Sequence, residues 1–130
     1  MTKHHDLTVL ELQGNLVLTR CDTSLNAIKD AIKPKTGAIL LDLNNVSFVD
    51  SAGLAILVRL HKLTQGMGTR LALCSLSLQM NQLLQLTSMD SFFEIFTNRE
   101  GFYESWASQF PAEATVPQLD AIPVVTIVAD

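Results

Sequence analysis

A short polar quartet, Asp50-Ser51-Ala52-Gly53, stands between two apolar stretches and holds the residues best suited to chemistry. A buried-strand pattern precedes it and an apolar helical pattern follows it. The quartet is therefore expected at the carboxyl edge of a sheet and at a helix N-terminus, where open α/β sheets bind ligands and partners. The Ser51 hydroxyl would be exposed there, and helix amides and the helix dipole can accommodate a phosphate.

Two interpretations of the quartet follow from its residues alone. A phosphate on Ser51 would add about −1.5 to −2 charges beside Asp50, which would change the surface that a partner meets. Alternatively, Asp50 or Ser51 simply caps the helix, since Asp and Ser are common capping residues. The residues by themselves leave both interpretations open.

The sequence contains none of the common catalytic motifs that would indicate an enzyme. No G-x-S-x-G elbow surrounds Ser51, and His61 lies two to three helical turns further on, too far to act as its base. Neither a G-x-x-x-x-G-K-[ST] loop nor a G-x-G-x-x-G loop is present. We therefore expect no catalytic residue and no cofactor, and we interpret His61 as a helix residue on or near the surface.

Composition narrows the class of protein further. The chain of 130 residues is 48% hydrophobic and has a formal net charge of −4, with its basic residues scattered, so a nucleic-acid surface is not expected. Cys21 and Cys74 are far apart and without metal-ligand spacing, which predicts buried free thiols and no metal site. His4 and His5 belong to a short polar leader and are not expected to be ligands. With no secretory signal and no membrane span, the predicted location is the cytoplasm, without membrane insertion.

The quartet is positioned by a predicted strand–helix–strand unit. Residues 38–43 form a nearly continuous apolar run, typical of a central strand covered on both faces. Residues 54–65 follow with an apolar stripe at helical spacing, and Arg59 and Lys62 mark the exposed side. Residues 71–74 form the next short strand. This unit is the architectural centre of the prediction.

Two elements are predicted before this unit. Residues 7–12 and 16–18 are apolar and are separated by a stretch containing Gly14, which indicates a hairpin with a tight turn. Asp22 is the expected cap of a helix in which Leu25, Ile28 and Ile32 recur at helical spacing.

Further elements are predicted after the unit. A helix beginning near Ser75 or Ser77 carries an apolar face, and residues 92–96 form the last strand of the core. Residues 97–100 fit a capping box in which Thr97 is the cap. The stripe that follows is interpreted as core packing and not as a stacking platform; it comprises Phe102, Trp106 and Phe110.

The last twenty residues differ in composition from the rest. Residues 111–130 contain three prolines and no basic residue, which favours a linker-like segment up to position 123. The apolar end, residues 124–129, is either an added edge strand or a sticky tail. We therefore divide the chain into a domain of residues 1–110 and a C-terminal extension of residues 111–130.

The stretch LDLNNVSFVDSAGLAILVRLHK, residues 41–62, resembles the signature of the STAS family, and it is most similar to that of the anti-sigma factor antagonists. The resemblance continues through residues 68–96 and covers about residues 7–110. It implies an α/β fold with a mixed four- to five-stranded sheet and about four helices. Where the family often has a second hydroxyl residue, this chain has Ala52, so a single hydroxyl remains.

The resemblance also implies a function. In anti-sigma factor antagonists the first Ser of the motif is phosphorylated by an anti-sigma factor that is also a serine kinase, and a serine phosphatase of the metal-dependent type reverses this. At matching positions, Ser51 is the expected phosphoacceptor, and Asp50, Ser51, Ala52 and Gly53 form the partner-binding surface. The expected role is a phosphorylation-controlled binding switch in transcription regulation. The alternative is a non-phosphorylated STAS scaffold, or an accessory subunit of a transporter or a stress-sensing complex.

Overall fold

A computed structural model describes residues 6–16, 21–32, 36–110, 118 and 121–128. Five strands and four helices occupy these ranges, in the order β1 (Leu7–Leu16), α1 (Cys21–Ala31), β2 (Ala38–Val49), α2 (Ser51–Gly66), β3 (Arg70–Cys74), α3 (Leu78–Leu86), β4 (Glu94–Phe96), α4 (Arg99–Ala107) and β5 (Val124–Val128). The strands form one sheet in the order β4-β3-β2-β1-β5. The predicted α/β class and the central position of the strand that begins at Ala38 are confirmed.

All pairings between the described strands are parallel, whereas a mixed sheet was expected. The source of the error is the predicted hairpin, because β1 runs through Gly14 without turning back. Gly14 does adopt a positive φ of 98°, but it does so beside register shifts between β1 and β2. A glycine in a left-handed conformation can serve a bulge as well as a turn, and here it serves a bulge. Val17 and Leu18, the rest of the expected second strand, lie outside the described residues.

Each face of the sheet is covered by its own helices. On one face, β2 presents Ile39, Leu41 and Leu43 to a core that includes buried residues of α1, α2 and α3. On the other face, Leu40 packs in a second core with aromatic residues of α4. Parallel sheets covered on both faces give such continuous apolar strands, so the prediction for residues 38–43 holds.

Helix α4 supplies the predicted aromatic core residues. Phe102 and Trp106 are buried, and Phe110 packs against them, as the spacing of the stripe predicted. The helix begins one residue later than expected, however. Asn98, and not Thr97, is the N-cap, and its side chain accepts a hydrogen bond of 2.8 Å from the Gly101 amide.

The start of α4 is also tied to the sheet by charge. Arg99 forms ion pairs with Asp42 on β2 and with Glu11 on β1, the latter at 2.7 Å. Asp42 also accepts a hydrogen bond of 3.0 Å from the Asn44 amide. Burial alone would lower the pKa of Arg99, but hydrogen bonding and the charges of Asp42 and Glu11 outweigh it and raise that pKa above its usual value. Arg99 therefore stays charged and holds two strands and one helix together.

The C-terminal apolar run is an edge strand in this structure. β5 pairs with β1 in parallel from Val9–Val124 to Gln13–Val128. Ile127 is buried in the core that α1 also lines, and Ile122 is buried on the α4 side. Of the two interpretations that the sequence left open, the structure shows the strand. The division at position 110 stays a prediction.

Candidate functional site

Strand β2 ends at Val49 and helix α2 begins at Ser51, so one residue links the central strand to the central helix. That residue, Asp50, is extended (φ −97°, ψ −177°), as an N-cap must be. Its carboxylate accepts a hydrogen bond of 2.8 Å from the Gly53 amide, and its carbonyl accepts one of 2.9 Å from the Leu54 amide. Asp50 therefore performs the capping role, and α2 begins three residues earlier than the apolar stripe indicated.

Ser51 is the first residue of α2, and of the four quartet residues it alone is exposed. Asp50 and Ala52 are half-buried, and Gly53 is buried beneath the turn. The structure thus assigns the cap to Asp50 and leaves the Ser51 hydroxyl on the surface. A group attached to that oxygen would project from the carboxyl edge of the sheet.

Helix α3 meets the sheet at the same place. The side-chain amide of Gln79 donates a hydrogen bond of 2.8 Å to the Val49 carbonyl, and its oxygen accepts one of 3.1 Å from the Val49 amide. Gln79 thus satisfies both backbone groups of the last residue of β2, as a neighbouring strand would. Ser77 is the N-cap of α3, and its hydroxyl accepts a hydrogen bond of 3.2 Å from the Met80 amide. It is one of the two residues near which this helix was expected to begin. The N-termini of α2 and α3 therefore lie side by side.

Two apolar side chains close to the quartet are exposed. Phe48, three residues before Ser51, is 46% exposed, and Leu78, the neighbour of Gln79, is 74% exposed. We call Phe48, Ser51 and Leu78 the switch surface. Sequence reasoning missed Phe48 and Leu78. For Leu78 one signal was available, because residues 75–89 contain no charged side chain. A surface helix without charge is unusual and is typical of a surface that contacts another protein.

Other residues singled out in the sequence lie away from this surface. His61 is ten residues along α2 from Ser51, about 15 Å at the usual rise, and its ring packs on Phe92 with centroids 4.5 Å apart. His61 therefore cannot act on Ser51, as expected. Arg59 and Lys62 are exposed on the outer side of α2, also as expected.

Cys74 is a buried free thiol at the end of β3. Burial, with a smaller contribution from the Asp42 charge, raises the pKa of this thiol to about 11. The prediction of a buried thiol holds for Cys74, and its raised pKa makes it a poor nucleophile at neutral pH. The side chain of Cys21, like His4 and His5, lies outside the described residues.

A family model described as the STAS domain matches residues 1–101. The chain belongs to the STAS domain family. The expected family is thus confirmed, and the quartet lies inside the matched region.

The STAS domain is similar to an anti-sigma factor antagonist in sequence and to several solved structures in fold. An anti-sigma F factor antagonist from Paenibacillus polymyxa is 26% identical over 99 residues, which cover 75% of this chain and 85% of that protein. The structure of the anti-sigma factor antagonist SpoIIAA in its unphosphorylated form matches with a TM-score of 0.64 at 18% identity, covering 79% of this chain and 90% of the other. A sulfate transporter family protein from Wolinella succinogenes matches with a TM-score of 0.67 at 17% identity, covering 80% and 88%.

In the part of the STAS domain that the structure describes, no helix is both long and apolar enough to cross a membrane.

Proposed function

We propose that this protein is a regulatory switch of the anti-sigma factor antagonist type, controlled by phosphorylation of Ser51 in a partner-switching pathway. The observation that carries the proposal is that Asp50 and Ser51 have different roles in the quartet. Asp50 caps α2, so the exposed Ser51 hydroxyl has no visible task in holding the helix start. The similarity to an anti-sigma F factor antagonist supports the same function. The cognate partner would be an anti-sigma factor that is also a serine kinase.

Phosphorylation at this position would change charge without unfolding the helix. The Asp50 carboxylate already occupies the Gly53 amide, so a phosphate on Ser51 would sit beside a negative charge at the same helix end. The helix dipole favours an anion there, while the Asp50 charge opposes it. Because the cap is retained, the domain would keep its fold and present about two additional negative charges.

The apolar members of the switch surface explain how such a charge would release a partner. Phe48 precedes the quartet in the chain, and Leu78 is next to Gln79, which is hydrogen-bonded to Val49. Both side chains are exposed, and a partner that contacts Ser51 would cover them. A phosphate placed at the edge of an apolar contact must be desolvated when the partner binds, and that cost weakens binding. With Ser51 unmodified, the partner docks on the switch surface; with Ser51 phosphorylated, it dissociates. A serine phosphatase of the metal-dependent type would reset the switch.

The proposed output is transcription regulation in the cytoplasm, and the proposal assigns no catalytic reaction to this chain. The second candidate function is a non-phosphorylated scaffold or an accessory subunit of a transporter or a stress-sensing complex. The observation in its favour is the structural similarity to a sulfate transporter family protein. That similarity shows the fold, which both candidates share, so the phosphorylation state of Ser51 must discriminate between them.

The first experiment tests the modification. The purified protein would be incubated with ATP and a lysate of its own organism, and phosphate would be mapped by mass spectrometry. We expect one phosphate in the wild type and in Ser47→Ala, and none in Ser51→Ala. Ser47 is an exposed serine four residues away, which makes it a matched control. No phosphate on the wild type would favour the scaffold function.

The second experiment tests docking on the kinase identified in this way. Ser51→Ala should bind like the wild type, while Ser51→Asp should bind at least about tenfold more weakly because a charge enters an apolar contact. Leu78→Glu should also weaken binding. Leu86→Glu is its control, because Leu86 is an exposed leucine at the opposite end of the same helix. Equal affinity of Ser51→Asp and Ser51→Ala would refute the switch.

A further inference from the structure

Strand β5 is an edge strand among the residues that the structure describes. It is the last strand in the sheet order β4-β3-β2-β1-β5, and no strand among the described residues pairs with its outer side. Its five residues, Val-Val-Thr-Ile-Val, include neither a charge nor a proline. Val124, Val125 and Val128 are 46%, 37% and 59% exposed. Soluble proteins usually protect edge strands with charges, prolines or bulges, and β5 itself has none of these.

The pairing with β1 determines which peptide groups of β5 point outward. The Val9 amide donates a hydrogen bond of 3.0 Å to the Pro123 carbonyl, and Val9 is opposite Val124. In a parallel pair, alternate residues of a strand direct both backbone groups to the same neighbour. Positions 123, 125 and 127 therefore face β1. The backbone groups of Val124, Thr126 and Val128 face outward.

We propose that two copies of this protein associate by antiparallel pairing of their β5 strands about a two-fold axis at Thr126. The outward backbone groups are centred on that residue, as a two-fold axis requires. Thr126 of one copy would pair with Thr126 of the other, and Val124 would pair with Val128, in about six hydrogen bonds. The positions between them place Val125 opposite Ile127, a β-branched pair that suits a strand interface.

A second copy fits this edge because β5 is complementary to itself. The strand is β-branched at every position and uncharged, so an antiparallel copy brings no like charges together. The order of its residues is also nearly symmetrical about Thr126. A strand from an unrelated protein would not require this symmetry.

The size of the contact predicts a weak dimer. A strand of five residues is about 17 Å long, and its pairing alone buries less than the roughly 800 Å² per partner of a standard interface. We therefore expect a dimer that dissociates on dilution through the range of about 10 to 100 µM.

This dimer would leave the switch surface free. Strands β2 and β5 both run parallel to β1 and therefore point the same way. Antiparallel pairing of the two β5 strands then points the carboxyl edges of the two sheets in opposite directions. The two Ser51 residues would then lie at opposite ends of a continuous sheet. The dimer proposal is independent of the proposed function, since it would stand with or without phosphorylation.

Sedimentation velocity of the whole chain from about 1 to about 500 µM tests the dimer. The wild type and the conservative Thr126→Ser variant should shift from monomer to dimer with concentration. Thr126→Pro should remain monomeric, because it removes an outward amide while leaving the bonds to β1 intact. Circular dichroism of each variant would check that the fold is kept.

A charge pair provides the decisive measurement. Thr126→Lys and Thr126→Glu should each be monomeric, because like charges would face each other across the axis on residues whose Cα atoms lie about 5.5 Å apart. An equimolar mixture of the two should form dimers again, which a folding defect could not produce. A wild type that stays monomeric throughout the range would overturn the proposal. So would a dimer that survives Thr126→Pro and both charge variants.

Discussion

The guanidinium of Arg99, at the start of α4, pairs with the carboxylate of Asp42 on the central strand, whose side chain is only 7% exposed. The two residues are far apart in the chain, and their pairing joins the helix on one face of the sheet to the strand that leads to Ser51. A buried carboxylate is tolerated only when it is paired and hydrogen-bonded. Asp42 meets both conditions, through Arg99 and the Asn44 amide.

Replacing Arg99 with alanine should destabilise the protein strongly. The change leaves the Asp42 charge buried without its cation, and we expect the free energy of unfolding to fall by about 2 to 4 kcal/mol. Arg99→Lys keeps a charge but loses the planar contact, so its effect should be smaller. Urea unfolding followed by circular dichroism measures both.

A double variant separates the buried charge from lost packing. Adding Asp42→Asn to Arg99→Ala removes the carboxylate charge but keeps an oxygen that can accept from the Asn44 amide. The double variant should therefore be more stable than Arg99→Ala alone. If the two have equal stability, the electrostatic explanation is wrong and Arg99 acts by packing.

Because Asp50 caps α2 and Ser51 does not, replacing each with alanine should change the free energy of unfolding by different amounts. Asp50→Ala removes the N-cap of α2 and should lower the free energy of unfolding by about 1 kcal/mol. Ser51→Ala removes an exposed hydroxyl and should change it by less than about 0.5 kcal/mol. Thermal or urea unfolding of the two variants gives the comparison. A larger loss for Ser51→Ala would mean that Ser51 shares the capping role.

The buried thiol of Cys74 should make the stability of the protein depend on pH in the alkaline range. Its pKa is raised from 9.0 to about 11 in the folded protein, so the unfolded chain loses this proton at lower pH than the folded one. The resulting stabilisation is fully present below pH 9 and is lost as the pH rises from 9 through 11. The loss would be up to about 2 to 3 kcal/mol. Urea unfolding at several pH values measures it.

The control for this measurement is a chain whose thiol is removed. In a Cys21→Ser background, the additional change Cys74→Ala should flatten the dependence of stability on pH between 9 and 11. Equal slopes with and without the Cys74 thiol would contradict the burial explanation. The thiol should also react slowly with iodoacetamide at neutral pH until urea unfolds the chain.

The sequence predicted best those features that depend on neighbouring residues. Residues 38–43 are predicted to be a buried strand because their apolar run is interrupted only by Asp42, and Asp50 is one of the two capping residues that the pattern indicates. The exposed placement of Ser51 follows from the same local pattern. The spacing of Phe102 and Trp106 likewise predicted a buried face of α4.

The errors arose where distant parts of the chain decide the outcome. Gly14 fits a turn or a bulge, and the choice depends on β2 and β5, which both pair with β1 from far along the chain. Thr97 and Asn98 are both capping residues, and the position of α4 on the sheet selects Asn98. The contact of Gln79 with Val49, which brings the start of α3 close to the start of α2, requires the packed sheet.

The pairing of β1 with β5 also bears on how the protein is made. Val9 lies in the first described strand, and its partner Val124 is synthesised 115 residues later. At a translation rate of 5 to 20 residues per second, β5 is synthesised roughly 6 to 23 s after β1, and until then that edge of β1 is unpaired. During that interval the nascent chain can complete β2, α2 and β3, but β1 exposes an unpaired backbone that another chain could occupy. A translation product that stops before β5 would keep this vulnerable edge permanently.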